Sequence, residues 1–182
     1  MTTDPLGMLL RAVRFAAEKH RAQRRKDSDG SPYINHPVSV AELLSNHGVA
    51  DLVTLSAAVL HDTVEDTETS AEEIRRHFGH EVADVVLEVT DDKTLPKAVR
   101  KELQIQRAPN LSDRAKLVRL GDKACNAMDV GQRPPPDWDT QRRLDYLDWT
   151  ERVVAGCRGV NPGLEAYYDE VVTAERRRIG AG

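Results

Sequence analysis

Helical periodicity fills this chain in successive segments, and the strict apolar–polar alternation that is typical of half-buried strands is nearly absent. In each segment, apolar side chains recur three or four positions apart, which places them on one face of a helix. The predicted helices span residues 8–21, 38–46, 51–64, 71–78, 82–89, 98–108, 112–128, 140–156 and 162–179. The pattern therefore predicts an all-α fold, a compact bundle of many helices.

Several helix ends carry their own signals. Asp51 and Ser70 precede helical segments and are predicted N-caps, and Ser70 is expected to form a capping box with Glu73. Gly79 is predicted to end the helix that Ser70 begins. Pro37 is predicted to open the next helix within its first turn, where the missing amide proton is tolerated.

The composition excludes several classes of protein. Aromatic residues make up only 4% of the chain, so Leu, Val and Ala must supply most of the core. A net charge of −4 gives no overall attraction to nucleic acid or to an anionic membrane. Two cysteines, Cys125 and Cys157, provide neither a disulfide framework nor the spacing of a zinc site.

Nothing in the sequence suggests export, membrane insertion or a division into several domains. No stretch approaches the roughly 20 apolar residues of a membrane span, and residues 1–7 lack the pattern of a secretion signal. There is no internal repeat and no long linker. We therefore expect one domain, residues 1–182, that is cytoplasmic and has no nucleic-acid or membrane partner.

The densest cluster of reactive side chains, His61-Asp62 and Glu65-Asp66, follows an apolar run. Because that apolar run predicts a buried helix, the His-Asp pair is expected in the interior, where an unpaired charge is unfavourable. A metal ion would remove this difficulty; alternatively, the carboxylate only fixes the imidazole tautomer. On one continuous helix, His61 would stack over Glu65 and Asp62 over Asp66. One pair could then bind a metal ion while the other handles water.

Two further residues extend the candidate metal site. His36 stands just before Pro37, and Asp122 emerges among the apolar residues of the predicted helix 112–128. Together with His61 and Asp62, they supply two imidazoles and two carboxylates from three segments. Mixed nitrogen and oxygen ligands suit Mn, Fe or Zn better than Ca, and the absence of a thiolate argues against a structural zinc.

Other polar residues are candidates for a binding surface, although each has an ordinary structural explanation. Arg25 and Lys26 belong to a basic run that is solvated surface unless the turn at residues 29–32 folds it back over the metal site. Asn126 follows Asp122 by one helical turn and shares its face. The remaining candidates are Lys97, Arg142 and Tyr146, while His20, His47, His77 and His80 are interpreted as structural or exposed.

Long strings in a fixed order carry a family resemblance. They are QRRKD (23–27), YINHP (33–37), LHDTVEDT (60–67), VTDDKTLPK (89–97), AKLV (115–118) and GVNP (159–162). The order His, His-Asp, Asp resembles the HD superfamily of metal-dependent phosphohydrolases. Within it, the chain resembles the small, Mesh-type alarmone hydrolases, which are related to the hydrolase domain of RelA/SpoT proteins. The resemblance covers roughly residues 8–172, the expected core of the domain.

The resemblance implies a fold, a reaction and a set of roles. The fold is an HD-domain helical bundle, and the reaction removes pyrophosphate from the 3′ position of ppGpp or pppGpp, which leaves GDP or GTP. One Mn²⁺ per chain, or another divalent ion, is expected on His36, His61, Asp62 and Asp122. Glu65 and Asp66 jointly orient and deprotonate the attacking water. The nucleotide-binding residues implied are Arg25, Lys26, Lys97, Asn126, Arg142 and Tyr146.

Three alternatives stay open at this stage. The same pocket suits a related phosphohydrolase reaction, such as NADPH 2′-phosphatase activity or hydrolysis of adenosine alarmones. A general HD nucleotidase is the second alternative, and a non-catalytic nucleotide sensor is the third. The chain also departs from the family pattern at Gly121, where alanine is expected; glycine there disfavours the helix by about 1 kcal/mol.

Overall fold

The all-α prediction is confirmed by the computed structural model, which describes residues 5–181. Over this range no residue belongs to a β-strand, and only an isolated bridge pairs Arg24 with Pro32. Residues 1–4 and 182 lie outside the described residues. Two predictions therefore concern residues that are partly undescribed: the lack of a secretion signal in residues 1–7 and the single domain of residues 1–182. None of the helices in residues 5–181 combines the length and the apolar character needed to cross a bilayer.

The helices follow the predicted order, with most ends displaced by only a few residues. They are α1 (Pro5–Lys19), α2 (Asn35–Asn46), α3 (Leu52–Leu60), α4 (Thr63–Asp66), α5 (Ala71–Phe78), α6 (His80–Val89), α7 (Lys97–Arg107), the 3₁₀ turn Ala108–Asn110, α8 (Asp113–Gln132), α9 (Thr140–Ala155) and α10 (Pro162–Gly180).

The predicted helix caps are confirmed, with one difference. The Asp51 side chain accepts a hydrogen bond from the Thr54 amide at 3.2 Å, and Ser70 Oγ accepts from the Glu73 amide at 3.1 Å. Gly79 ends α5 with a φ of 86°, a conformation that favours glycine. The Glu73 carboxylate forms an ion pair with Lys19 at 2.9 Å, so the structure shows only half of the predicted capping box.

The prediction of one continuous helix over residues 51–64 is wrong. Helix α3 ends at Leu60, His61 and Asp62 form a turn, and the short α4 follows. Side chains take the backbone partners that helix continuation would use: His61 Nδ1 lies 2.7 Å from the Ala58 carbonyl, and Thr63 Oγ1 donates to the Leu60 carbonyl at 2.7 Å. The His-Asp pair therefore sits on a turn at the end of a buried helix.

Helix α8 organises the site because it packs against α2, α3, α6, α9 and α10. The surrounding core consists largely of Leu, Val and Ala, as the low aromatic content predicts. Gly121 lies where α8 meets α2, and a Cβ added there would stand 3.2 Å from side-chain atoms of both Leu44 and Val40. The missing side chain thus permits the close approach that brings α2 and α8 together.

Candidate active site

Four side chains from three segments meet in the interior. His36 comes from α2, His61 and Asp62 from the turn after α3, and Asp122 from α8. His36 Nε2 lies 3.1 Å from Asp122 Oδ1, and His61 Nε2 lies 3.1 Å from Asp62 Oδ2. Potential ligand atoms of His36, His61 and Asp62 all lie within 4.8 Å of one another. The structure therefore brings together the four residues predicted as metal ligands.

The orientation of His61 fits a metal ligand. Its Nδ1 is held by the Ala58 carbonyl, which turns Nε2 towards the two carboxylates. Nε2 is buried and makes no well-formed hydrogen bond with any described residue. A buried nitrogen without a hydrogen bond is unfavourable unless another partner binds it. A divalent cation between the imidazoles and the carboxylates would satisfy it, and the N₂O₂ donor set suits such an ion.

The protonation of the cluster follows from its charges. Burial raises the pKa of Asp122, but the Lys123 ammonium and the nearby imidazoles outweigh this effect and hold that pKa well below its usual range. Burial lowers the pKa of His61, but Asp62 and Asp122 outweigh it and raise that pKa to about 10. The carboxylates thus stay ionised and attract a cation. A bound metal ion would take the place of the proton on His61.

Tyr33 is a site residue that sequence reasoning missed. Its hydroxyl donates a 2.6 Å hydrogen bond to Asp62 Oδ2, and its ring packs 4.8 Å from the His20 ring. The available signal was its position in the YINHP string, three residues before His36. The contact fixes one oxygen of a candidate ligand.

Glu65 lies in a partly desolvated pocket beside the cluster. Its Oε2 accepts a 3.0 Å hydrogen bond from the Asp91 amide, and its Oε1 lies 3.6 Å from Arg100. Burial raises the pKa of Glu65 to about 7, assisted by the negative charges of Asp91, Asp62 and Asp66 and opposed by the Asp91 amide. A carboxylate with this pKa can exchange a proton near neutral pH.

Asp66 has a different environment from Glu65. Gln23 Nε2 donates a 3.0 Å hydrogen bond to its Oδ2, and Lys93 forms an ion pair with its Oδ1. Sequence reasoning assigned no role to Gln23 or Lys93, although both stand in the strings that carry the family resemblance. These two contacts hold the Asp66 carboxylate in one orientation.

A cavity of about 270 Å³ opens beside the candidate metal site and is lined by Arg25, Lys26, Asn126 and Tyr146, as well as by Tyr33 and Asp66. The loop at residues 24–32 does fold back, because the Arg25 amide donates to the Ser31 carbonyl at 2.9 Å. Arg25 Nη2 donates to Asn126 Oδ1 at 3.0 Å, and its guanidinium lies 5.6 Å from the centre of the Tyr33 ring. Four of the predicted binding residues thus line one cavity.

A second, neighbouring cavity of about 340 Å³ contains the other two predicted binding residues, Lys97 and Arg142. Arg100 and Lys101 add two more cations to its walls, and Tyr146 lines both cavities. Desolvation lowers the pKa of Lys97, and the cations of Arg142, Lys26 and Arg100 lower it further. Cations crowded in this way favour a bound anion.

The histidines that sequence analysis left out of the cluster have other surroundings. His20 is buried, and its Nδ1 lies 2.7 Å from Gln23 Oε1. His47 Nδ1 lies 2.8 Å from the Leu43 carbonyl. His77 and His80 are exposed on the surface.

Comparisons with known proteins agree with this geometry. A family model described as "HD domain" matches residues 12–146. The guanosine-3′,5′-bis(diphosphate) 3′-pyrophosphohydrolase MESH1 of Xenopus tropicalis is 52% identical over 172 residues, which cover 94% of this chain and 96% of that protein. The protein of the same name from Homo sapiens is 52% identical over 158 residues, covering 86% and 88% respectively.

A solved structure of a related protein is also similar to this chain in its fold. It is described as a metazoan ortholog of SpoT that hydrolyzes ppGpp and plays a role in starvation responses. It matches with a TM-score of 0.89 at 43% sequence identity, over 92% of this chain and 94% of that one. The residues matched by the family model include the four candidate metal ligands as well as Glu65 and Asp66.

Proposed function

The chain belongs to the HD domain family, and from this premise we propose that it is a metal-dependent (p)ppGpp 3′-pyrophosphohydrolase. It hydrolyses the bond between the ribose 3′ oxygen and the pyrophosphate group, giving GDP from ppGpp or GTP from pppGpp. One observation carries the proposal: the buried His36–His61–Asp62–Asp122 cluster opens beside Glu65 and two cavities that contain cationic side chains. We expect it to act on this small nucleotide in the cytoplasm.

The His36–His61–Asp62–Asp122 cluster is proposed to hold one Mn²⁺ per chain. When bound, this ion polarises the phosphate and lowers the pKa of water from ~15.7 towards neutrality. Tyr33 holds one oxygen of Asp62, and the Ala58 carbonyl holds the ring of His61. These contacts keep the donor atoms directed into the cluster before any ion arrives, because partners of this kind orient metal ligands.

Glu65 and Asp66 act together on the attacking water, and each has a different role. Glu65 accepts the proton, because its pKa of about 7 lets it do so at neutral pH. Asp66, fixed by Gln23 and Lys93, orients the water for attack. The leaving group is the ribose 3′ oxygen, which regains a proton when the bond to phosphorus breaks.

The base, the ribose and the remaining phosphates of the nucleotide bind in the two cavities. The planar guanidinium of Arg25 stacks on the purine, as guanidinium groups do on aromatic faces. Asn126 binds the ribose, and it already donates a 2.6 Å hydrogen bond to Asp122. Lys26, Lys97 and Arg142 bind phosphate oxygens, and Tyr146 lies between the two groups.

An anion-exchange time course tests the proposal. Metal-stripped protein is incubated with ppGpp with and without Mn²⁺, with NADPH and GTP in parallel and Asp62→Ala as the control. Equal amounts of GDP and pyrophosphate, formed only with Mn²⁺ and lost in the variant, are the expected result. Phosphate released from NADPH while ppGpp stays intact would transfer the function to a 2′-phosphatase. Binding without turnover of any nucleotide would favour the sensor alternative.

A further inference from the structure

Lys123 is a buried cation next to a candidate metal ligand. It is only 3% exposed, and its Nζ donates a 3.0 Å hydrogen bond to Asp122 Oδ2. Its ammonium also lies 4.5 Å from the centre of the Trp149 ring. Among residues 5–181, Asp122 is the only carboxylate that pairs with it. Since a buried ammonium is unfavourable without such a partner, the pair constrains both side chains.

The two oxygens of Asp122 face different groups. Oδ1 lies 3.1 Å from His36 Nε2 and 3.7 Å from His61 Nε2, and it accepts the hydrogen bond of Asn126. Oδ2 points the other way and is bound by Lys123. One oxygen is therefore directed into the metal cluster, while the other is held by a cation.

We propose that Lys123 is a positioning residue for Asp122: its ammonium holds Oδ2, so that Asp122 offers only Oδ1 to a divalent ion. Trp149 supports this arrangement, because its ring covers the ammonium from the side of α9. The inference rests on the proposed function only for its kinetic consequence. Its consequence for metal binding requires only that the cluster binds a divalent ion.

Removing the ammonium is expected to strengthen metal binding, whereas a substitution that only disturbs the structure would weaken it. Lys123 repels a cation in the cluster and withdraws negative charge from Asp122. Without it, Asp122 is a stronger donor and both its oxygens are free to bind, so the ion is held more tightly. Turnover is slower, because a more strongly neutralised ion polarises phosphate less. A purely structural role predicts weaker metal binding instead.

Lys123→Met tests the inference, because it keeps most of the length of the unbranched side chain and removes its charge. The matched control is Arg119→Met, which removes another buried cation one turn earlier on α8. Arg119 donates to the Val89 carbonyl at 2.8 Å, and among the described residues it forms no ion pair with Asp122. Four quantities are measured for each protein: the Mn²⁺ dissociation constant of metal-stripped protein by calorimetry, the melting temperature, and kcat and KM for ppGpp.

We expect Lys123→Met to lower the Mn²⁺ dissociation constant about tenfold. This is the smallest change usual for groups that contact metal ligands, and here it is a gain in affinity because a repelling charge is removed. Its kcat should fall by about tenfold or more with little change in KM. Lys123→Arg, which keeps the positive charge, should restore both values towards those of the wild type. Arg119→Met should lower the melting temperature and leave the dissociation constant unchanged.

Two outcomes would overturn the inference. One is a Mn²⁺ dissociation constant in Lys123→Met that is unchanged or higher, and the other is a change that Arg119→Met reproduces. If Lys123→Met does not fold, Lys123→Gln gives the same comparison with a neutral hydrogen-bond donor. If the wild type binds Mn²⁺ but leaves ppGpp intact, the proposed function fails, while the dissociation constants still decide the role of Lys123.

Discussion

At the scale of single residues, the adjacent carboxylates Glu65 and Asp66 differ in their surroundings. Glu65 is partly desolvated, and burial together with the nearby carboxylates raises its pKa to about 7 although Arg100 lies 3.6 Å away. Asp66 is held by an amide and an ammonium, Gln23 and Lys93. Two identical chemical groups can therefore serve different functions, since their surroundings set their proton affinities.

The first prediction concerns the dependence of turnover on pH. Because the pKa of Glu65 is raised to about 7, the carboxylate is protonated and inactive as a base below this value. We expect kcat to rise with pH through about 7 and then to level off. Glu65→Gln should lower kcat by about 10²–10⁴-fold and remove the rise. The measurement is kcat between about pH 5.5 and 9 in saturating Mn²⁺; the same rise in the variant would exclude Glu65 as the base.

The second prediction concerns stacking by Arg25. Arg25→Lys keeps the charge but loses the planar group that bonds to Asn126 and is proposed to stack on the base. We expect KM for ppGpp to rise about tenfold, the equivalent of 1.4 kcal/mol, with little change in kcat. Arg21→Lys is the control, because Arg21 is exposed and pairs with Glu18. A loss confined to kcat would contradict a binding role for Arg25.

Single residues also show what could be predicted from sequence. Of the four candidate metal ligands, His36, His61 and Asp62 could be named because they stand in recognisable strings, and Asp122 because it is a carboxylate among the apolar residues of a predicted helix. The structure brings the four together. The contacts of Tyr33 with Asp62 and of Lys93 with Asp66 could not, since they join residues 29 and 27 positions apart. Such pairs depend on how helices pack, which local periodicity does not specify.

At the scale of helices, the cap signals predicted several ends correctly, while the break after Leu60 was missed. Caps are local, because Asp51 and Ser70 each bond an amide three residues later. The break depends on the His61 and Thr63 side chains bonding to the backbone of α3, and an apolar run gives no sign of that competition. Helix existence was therefore easier to predict than helix continuity.

The third prediction compares two glycines of α8. A Cβ at Gly131 would stand 2.0 Å from Glu175 Oε2 and 2.6 Å from Glu175 Cβ, so Gly131→Ala should destabilise the protein by about 3 kcal/mol. At Gly121 the nearest atoms of Val40 and Leu44 are 3.2 Å away. Gly121→Ala also gains about 1 kcal/mol of helix propensity, so the net change should stay small. Guanidinium unfolding curves measure both, and equal effects would refute this account.

At the scale of the whole molecule, the candidate metal site connects α2, α8 and the turn after α3. An ion bound there stabilises the folded state alone, because the unfolded chain does not bring the four side chains together. The net charge of −4 gives little information about this, since the decisive charges are local. The net charge therefore gives only an expectation about polyanions in general, while the cations that line the two cavities could be named only through the family resemblance.

The fourth prediction follows from this linkage. Mn²⁺ at one hundred times its dissociation constant should add about 2.7 kcal/mol to the free energy of unfolding, and the melting temperature should rise accordingly. Asp62→Ala should abolish most of this gain. Differential scanning calorimetry of metal-stripped protein across a Mn²⁺ titration provides the measurement. A melting temperature that does not depend on Mn²⁺ would mean that the cluster binds no ion.

Tyr146 and Trp138 line both cavities and so form a ridge between them. A nucleotide with phosphates on two arms of its ribose can straddle this ridge, with each arm reaching its own side. A nucleotide that has lost its 3′ pyrophosphate can place phosphates in only one of the two cavities. If the proposed function holds, we expect the ridge to select nucleotides by the placement of their phosphates more than by their base, and to bind the product, which lacks the 3′ pyrophosphate, more weakly than the substrate.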